Sequence, residues 1–435
     1  MLREHPLKEL VRQQKKGISK GICSICSSHP YVIDAAIETA AEEGSYVLIE
    51  STANQVNQFG GYTGMLPMDF ARFVKDTANK KGLPEDKLIL GGDHLGPLVW
   101  KSESEASAME KAEELIIQYV KAGFSKIHID TSMHLGSDSK KIKLDTKVIA
   151  QRAAILYAAA ENAFKEIKQN TNYHTVYVIG SEVPVPGGTQ EEEGLKVTGV
   201  ADLNDTLRCF REAFSEVSAG SAMDNVIAVV VQPGVEFGDG SIHEYDRKAA
   251  NELSMFIKKE QNIVFEGHST DYQRACHLKQ MVEDGVAILK VGPALTFALR
   301  EGLFAIESIE KELLKGRNGI ILSEFSKTID EVMRKNPVYW EKYYHGSEED
   351  KRLAREYSLS DRCRYYLGEN EVVEAVERLV NNLLSVEIPL TLISQYLPQQ
   401  YIKIREGKIA NNVEDLLKNK VRSVIDTYPQ FTITK

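Results

Sequence analysis

Leu88-Ile89-Leu90-Gly91-Gly92-Asp93-His94-Leu95-Gly96-Pro97 joins an apolar run, a glycine pair, an acid beside an imidazole and a Gly-Pro stop. A short apolar run bounded by turn signals predicts a buried strand. Neighbouring side chains on an extended chain point to opposite faces. Asp93 and His94 therefore share one site only if the chain bends there, which the glycines permit. At the carboxyl end of a barrel strand, such a pair supplies an acid/base and a metal ligand together. The alternative is a core histidine next to an aspartate that caps the following helix.

Outward from this run, strand-like segments recur at 17–25, 45–50, 126–130, 176–182, 226–232, 262–265 and 287–291. Amphipathic, helix-like sequence follows each, at 30–43, 67–81, 103–122, 147–170, 203–217, 245–260, 272–283 and 294–314. Near-continuous apolar strands alternating with helices predict a parallel sheet covered by helices. Eight such units in about 300 residues fit a (β/α)8 TIM barrel of the α/β class. The barrel domain is expected over residues 1–315, opening with an amphipathic helix at 1–17. Residues 316–435 change to helical periodicity with many Lys and Glu. They predict an α-helical extension packed on the barrel, with apolar faces that suit a homo-oligomer. No Gly-x-Gly-x-x-Gly follows the first strand, so there is no dinucleotide fingerprint.

Composition narrows the function. The 435 residues carry a formal charge of -10 and 43% hydrophobic side chains. An acidic chain offers no basic face to nucleic acid. No run resembles a signal peptide or approaches a membrane span, so a cytoplasmic protein without a membrane partner is expected. The five cysteines (Cys23, Cys26, Cys209, Cys276 and Cys363) are dispersed and odd in number, which suits reduced thiols. Cys23 and Cys26 form a C-x-x-C, but no second pair completes a zinc site and the motif closes a strand.

Polar residues gather at the strand ends: Glu50, Asn54, Asp93 and His94, His128 and Asp130, Glu182, Gln232, Glu266 and His268, and Lys290. Capping explains an isolated acid, but not acids, amides and imidazoles at nearly every end. They are expected to ring one mouth. Asn54-Gln55-Val56-Asn57-Gln58 places four amides before a glycine-rich loop. Such groups suit sugar hydroxyls or, alternatively, a polar turn network.

Longer segments carry a resemblance. ESTANQVNQFGGYTGM (50–65), GGDHLGP (91–97), GSEVPVPGG (180–188), VVQPGVEF (230–237), GHSTDYQ (267–273), LKVGPALTFALRE (289–301), YSLSDRCRYY (357–366) and VEIPLTLISQYLP (386–398) are similar to the tagatose-bisphosphate aldolase Z-subunit family. The likeness runs over nearly the whole chain. Members are described as non-catalytic or chaperone-like subunits of the class II aldolase, in older usage as tagatose-6-phosphate kinases, and in other cases as metal-activated ketohexose 4-epimerases. A kinase finds no support here, because no Gly-x-x-x-x-Gly-Lys-Ser/Thr loop is present. The barrel also resembles the catalytic class II aldolases, whose Asp-His pair corresponds to Asp93-His94. It departs from them at Gln232, where they have a zinc-binding His, and at Glu266-Gly267, where they have His-Gly.

The resemblance implies a ketohexose 4-epimerase interconverting tagatose and fructose, or their 6-phosphates, by retro-aldol chemistry. The alternative is a non-catalytic, stabilising subunit of a class II D-tagatose-1,6-bisphosphate aldolase. In the first reading His94, Glu182 and His268 hold a divalent Zn, Mn, Co or Ni ion. Asp93 takes the C4 hydroxyl proton, and Glu182 or Asp130 serves a competing carbonyl-shift route. Glu50, Asn54, Asn57, Gln58, Gln232, Glu266, Asp271 and Lys290 are expected on the sugar, with Ser360, Arg362 and Arg364 near its phosphate.

Overall fold

The computed structural model describes residues 2–139, 142–181, 195–217 and 222–433. Eight strands form the centre: Ile22–Cys26 (β1), Val47–Thr52 (β2), Leu88–Leu95 (β3), Lys126–Ile129 (β4), Val176–Ile179 (β5), Val226–Val231 (β6), Val264–Gly267 (β7) and Val286–Val291 (β8). Each pairs in parallel with its sequence neighbours, and β1 pairs with both β2 and β8, which closes the barrel. The strands are buried on both faces, which is why they read as apolar runs rather than alternations.

The connecting helices are Pro30–Glu43 (α2), Pro67–Lys80 (α3), Glu105–Lys121 (α4), Thr146–Ile167 (α5), Val200–Val217 (α6), Asn251–Ile257 (α7), Ala275–Glu283 (α8) and Pro293–Leu314 (α9). Ahead of them, Pro6–Lys15 (α1) starts with Pro6 and is capped by His5, whose Nδ1 accepts from Leu7 N at 3.1 Å. Leu7, Leu10 and Val11 of α1 pack with Ile22, Leu48, Ile89, Val176 and Ile288 and plug the amino end of the barrel. Burying these three side chains is worth roughly 1.5–3 kcal/mol each. The opposite, carboxyl end stays open, and the polar residues lie there.

After Leu314 the chain is helical, from Phe325–Lys335 (α10) through Glu348–Tyr357 (α11), Asn370–Leu384 (α12), Leu390–Tyr396 (α13) and Pro398–Arg405 (α14) to Val413–Ile425 (α15). Its apolar residues Phe325, Ile329, Leu379, Val413 and Leu417 join the same hydrophobic cluster as the barrel helices. Tyr46 N donates to Phe431 O at 2.8 Å, so the tail returns to the edge of β2. Two local expectations change. The helix read at 245–260 shrinks to α7, because Tyr245 N donates to Gln273 Oε1 and its hydroxyl donates to Asp284, both at 3.0 Å. Those bonds keep Tyr245 outside the helix, and residues 247–250 form turns that lead into α7. Before it, Glu236–Phe237 pairs antiparallel with Ile242–His243, a hairpin too short to show as a period.

Candidate functional site

The site begins with a bend in β3. Against β2 the register runs unbroken to Thr52 opposite Asp93, whereas against β4 it shifts between Gly92 and Leu95. His94 sits in the left-handed region at φ 47, which is uncommon for a non-glycine residue. The bend turns both side chains inward. The glycines before it make room for the protein itself: a Cβ on Gly91 would lie 2.7 Å from Glu50 Cγ.

Below the mouth lies a buried floor of charge. Lys126 Nζ is 2.6 Å from both Glu50 and Glu266 carboxylates. Lys290 Nζ is 2.6 Å from Glu50 Oε2 and 2.9 Å from Asp93 Oδ1. Burial alone would raise the carboxyls. Lys126 and Lys290 override it at Glu266, and His94 and Lys290 do so at Asp93, holding both well below the ordinary range. Burial likewise opposes charge on Lys290, but Asp93, Cys26, Glu266 and Glu50 keep it an ammonium. Glu50 and Glu266, expected on a sugar, are instead spent on these lysines.

Above the floor three imidazoles form a triangle, with ring centroids 4.8 Å apart for His94–His268 and 5.1 Å for His94–His128 and His128–His268. His94 Nδ1–H donates to Asp130 Oδ2 at 2.9 Å, which turns its Nε2 to the centre. Burial disfavours the charged form of His94, but Asp93 and Asp130 outweigh it and raise its pKa. His128 Nδ1 faces both Asp93 Oδ1 at 2.9 Å and the His94 backbone N–H at 3.2 Å, while its buried Nε2 has no hydrogen-bond partner. His268 Nε2–H donates to Glu266 Oε1 at 3.1 Å. Burial brings the pKa of His268 down to about 3, so its Nδ1 offers a lone pair. Ligand atoms of Asp93, His94, His128 and His268 all lie within 4.8 Å of one another.

A polar pocket of about 90 Å³ sits over this cluster, lined by Asn54, Asp93, His94, His268, Asp271 and Lys290 among others. Glu182, expected both as base and as ligand, lies outside the described residues. Asp130 stands behind His94 rather than on the pocket. Five residues expected on a ligand turn their polar groups inward. Asn57 closes its own loop, donating to Ala53 O and accepting from Phe59 N at 2.8 Å each. Gln58 donates to Lys111 O at 2.9 Å on α4. Gln232 Oε1 accepts from Gly234 N at 2.8 Å and Val235 N at 3.0 Å. Ser360 bonds Ser358 and Tyr344, and Arg362 lies over the Tyr343 ring. Asn57 and Gln232 thus pair backbone groups of their own turns, Gln58 ties its loop to α4, and Asn54 and Gln55 stay on the pocket.

Sequence reading passed over His128 as a ligand and did not choose between Arg362 and Arg364 for the phosphate. The first had a signal. Lys126, His128 and Asp130 alternate with apolar residues, and a period of two sends all three into the barrel. The second had none, since only the turn at Arg362–Tyr365 decides which arginine faces the mouth; Arg364 lines the pocket, as do Gln55 and Tyr62.

Residues 7–432 match the family model described as D-tagatose-1,6-bisphosphate aldolase subunit GatZ/KbaZ-like. The chain belongs to this family. The D-tagatose-1,6-bisphosphate aldolase subunit GatZ of Salmonella heidelberg (strain SL476) is 47% identical over 97% of this chain and 98% of the relative. That of Escherichia coli O1:K1 / APEC is 46% identical over 97% and 99%. A crystal structure described as a probable tagatose 6 phosphate kinase from Sinorhizobium meliloti 1021 superposes with a TM-score of 0.85 at 44% identity, covering 94% of this chain and 99% of that one. These relatives carry the name of an aldolase subunit, so the epimerase expectation is overturned in favour of its alternative. Among the described residues, no helix is long and apolar enough to cross a membrane.

Proposed function

We propose that this chain is the non-catalytic, stabilising subunit of a class II D-tagatose-1,6-bisphosphate aldolase. The reading rests on its near end-to-end likeness to proteins of that name. The barrel supports it. Gln232, at the strand-six position where the aldolases carry a zinc-binding His, is occupied with its own turn. Lys126 and Lys290 neutralise the acids beneath the mouth. A partner that binds the folded catalytic chain stabilises it by about 2.7 kcal/mol at a hundred times its dissociation constant, which lowers the unfolded fraction about 100-fold.

The test is to produce the catalytic class II chain of the same organism with and without this one. Together they should co-elute, and the aldolase activity should survive warming several-fold longer. A catalytic chain that is equally long-lived alone, and elutes separately from its companion, would sink the proposal.

We infer also that Asp93, His94, His128 and His268 hold a divalent ion of the zinc, manganese, cobalt or nickel kind. The buried, partnerless Nε2 of His128 supports this, as does the donor set of three nitrogens and a carboxylate oxygen. A bound ion there would supply Lewis acidity to an oxygen ligand in the pocket. Asp130 orients His94, and Glu266 orients His268, as outer partners of metal-binding histidines do.

A further inference from the structure

Barrels of this kind commonly bind phosphate where the loops after strands seven and eight meet a helix start. Here that place is filled from within. Asp271 Oδ1 accepts from Gly292 N at 3.0 Å and Ala294 N at 2.8 Å, at the start of α9. Pro293 between them has no N–H to offer. An incoming anion would have to displace a buried carboxylate.

Another cation stands on the same mouth. Arg364 lines both the polar pocket and an adjoining chamber of about 740 Å³. Three of its N–H groups are used. Nη1 donates to the Ser360 and Asp361 carbonyls, and Nη2 donates to Tyr365 Oη at 2.8 Å. A guanidinium has five such donors, so two remain. Among the described residues no carboxylate is ion-paired with Arg364. The Asp361 carboxylate, which attracts it, is committed to Arg300 Nε at 3.0 Å and Thr296 Oγ1 at 2.6 Å. The chamber beyond is walled mainly by Tyr31, Met65, Phe73, Leu303, Val376 and Val380, with Ser28, Gln55, Tyr62, Glu377 and Asn381 among its polar lining. Hydroxyls placed against the apolar walls would go unpaired, whereas methylenes gain by burial.

We propose that Arg364 is the receptor for an organic oxyanion, a phosphate monoester or carboxylate, whose apolar body occupies the larger chamber. The guanidinium fork suits either head group in two-pronged fashion. The site does not rest on the subunit reading, because binding is measured on the isolated full chain.

Calorimetric titration with butyl, pentyl and hexyl phosphate, hexanoate and hexanol provides the test. Affinity should rise about fourfold per methylene along the phosphates. Hexanol should not bind, and the stronger of hexyl phosphate and hexanoate identifies the head group. Arg364→Gln should weaken the better ligand at least tenfold. Should that variant fail to fold, phenylglyoxal labelling of the wild-type chain, mapped by mass spectrometry, takes its place. The bound ligand should then shield Arg364 and leave the exposed Arg208 reactive. Wild-type affinity in Arg364→Gln, unshielded Arg364 at saturation, tighter binding of glycerol phosphate than of hexyl phosphate, or no binding of either anion would overturn the proposal.

Discussion

Lys126→Met tests whether the barrel floor is held by balance of charge. The substitution keeps most of the side-chain stem and removes the ammonium. Two lysines now face Glu50, Glu266 and Asp93. In the variant Lys290 faces all three, and Glu266 keeps only a 3.6 Å approach to it and the 3.1 Å bond from His268. Removing one partner of a buried pair costs about 3–5 kcal/mol, because the other is left uncompensated. Unfolding entropy of about 2.1 cal/mol/K per residue gives roughly 0.9 kcal/mol/K for 435 residues. Tm should therefore fall by roughly 3–6 °C. Adding Glu266→Gln removes the stranded charge and should restore at least half of that loss, a coupling that a double-mutant cycle measures. The pH dependence should also change sign. In the wild type Glu266 is held below its unfolded value, so its stabilisation is present above about pH 4.5 and is lost as pH falls through the depressed value. Without Lys126 burial dominates and raises it, so acidification from pH 7 towards 5 should stabilise the variant. Melting followed by circular dichroism reads both effects. A variant within 1 °C of wild type, or a double variant no better than the single, would refute the reasoning.

Three further outcomes follow from the same geometry. Burial raises Asp271 to about 6 from 3.8; the folded state thus binds this proton more tightly, and stability present below about pH 4 is lost as pH rises through 6. Asp271→Asn keeps an acceptor for the two amides without the charge, so its stability to unfolding should gain on wild type between pH 4 and 7, by at most roughly 3 kcal/mol; parallel curves would contradict this. His128→Ala and His268→Ala should each reduce the divalent-metal content of purified protein several-fold by plasma mass spectrometry, and undiminished content in both would remove the proposed ion site. Gly96→Ala would place a Cβ 1.8 Å from Asp130 O, so it should lower soluble yield and Tm sharply, while Gly368→Ala, which meets nothing within 4 Å, should change neither.

The fold was legible because its signal is repeated. Eight apolar runs separated by amphipathic helices leave few architectures, and each strand lies within a few residues of its sequence assignment. Asp93-His94 also read correctly as a place where the chain must bend, because a glycine pair precedes two polar neighbours that cannot otherwise face one side. The fate of the amides was not legible. Asn57, Gln58 and Gln232 have the composition of a sugar site, but an amide also satisfies loop backbone groups, and only the path of the loop decides which use it serves. The pairing of Glu50 and Glu266 was not legible for a related reason. Their partners, Lys126 and Lys290, lie on other strands, and pairing across a closed barrel depends on shear and register that single runs do not encode.

The partition of Asp93 explains why this acid does not suit proton transfer. Its Oδ1 is held between Lys290 Nζ and His128 Nδ1, each at 2.9 Å. Its Oδ2 lies 3.8 Å from both His94 Nε2 and Cys26 Sγ. It belongs to two acid-bearing groups, Cys26–Glu50–Asp93 and Asp93–His94–His128–His268. The first already contains a cation, the Lys290 ammonium, covalently part of the chain. The second gathers three imidazoles beside the carboxylate, a donor set that fits a divalent ion. A general base works best with a pKa near the working pH, whereas His94 and Lys290 hold Asp93 far below it despite burial. A carboxylate so weakly basic is suited to accept hydrogen bonds and to ligate, not to take a hydroxyl proton. The side chain that sequence pattern singled out as a base is thus, in its folded setting, a fixed negative charge shared between a lysine and a histidine cluster.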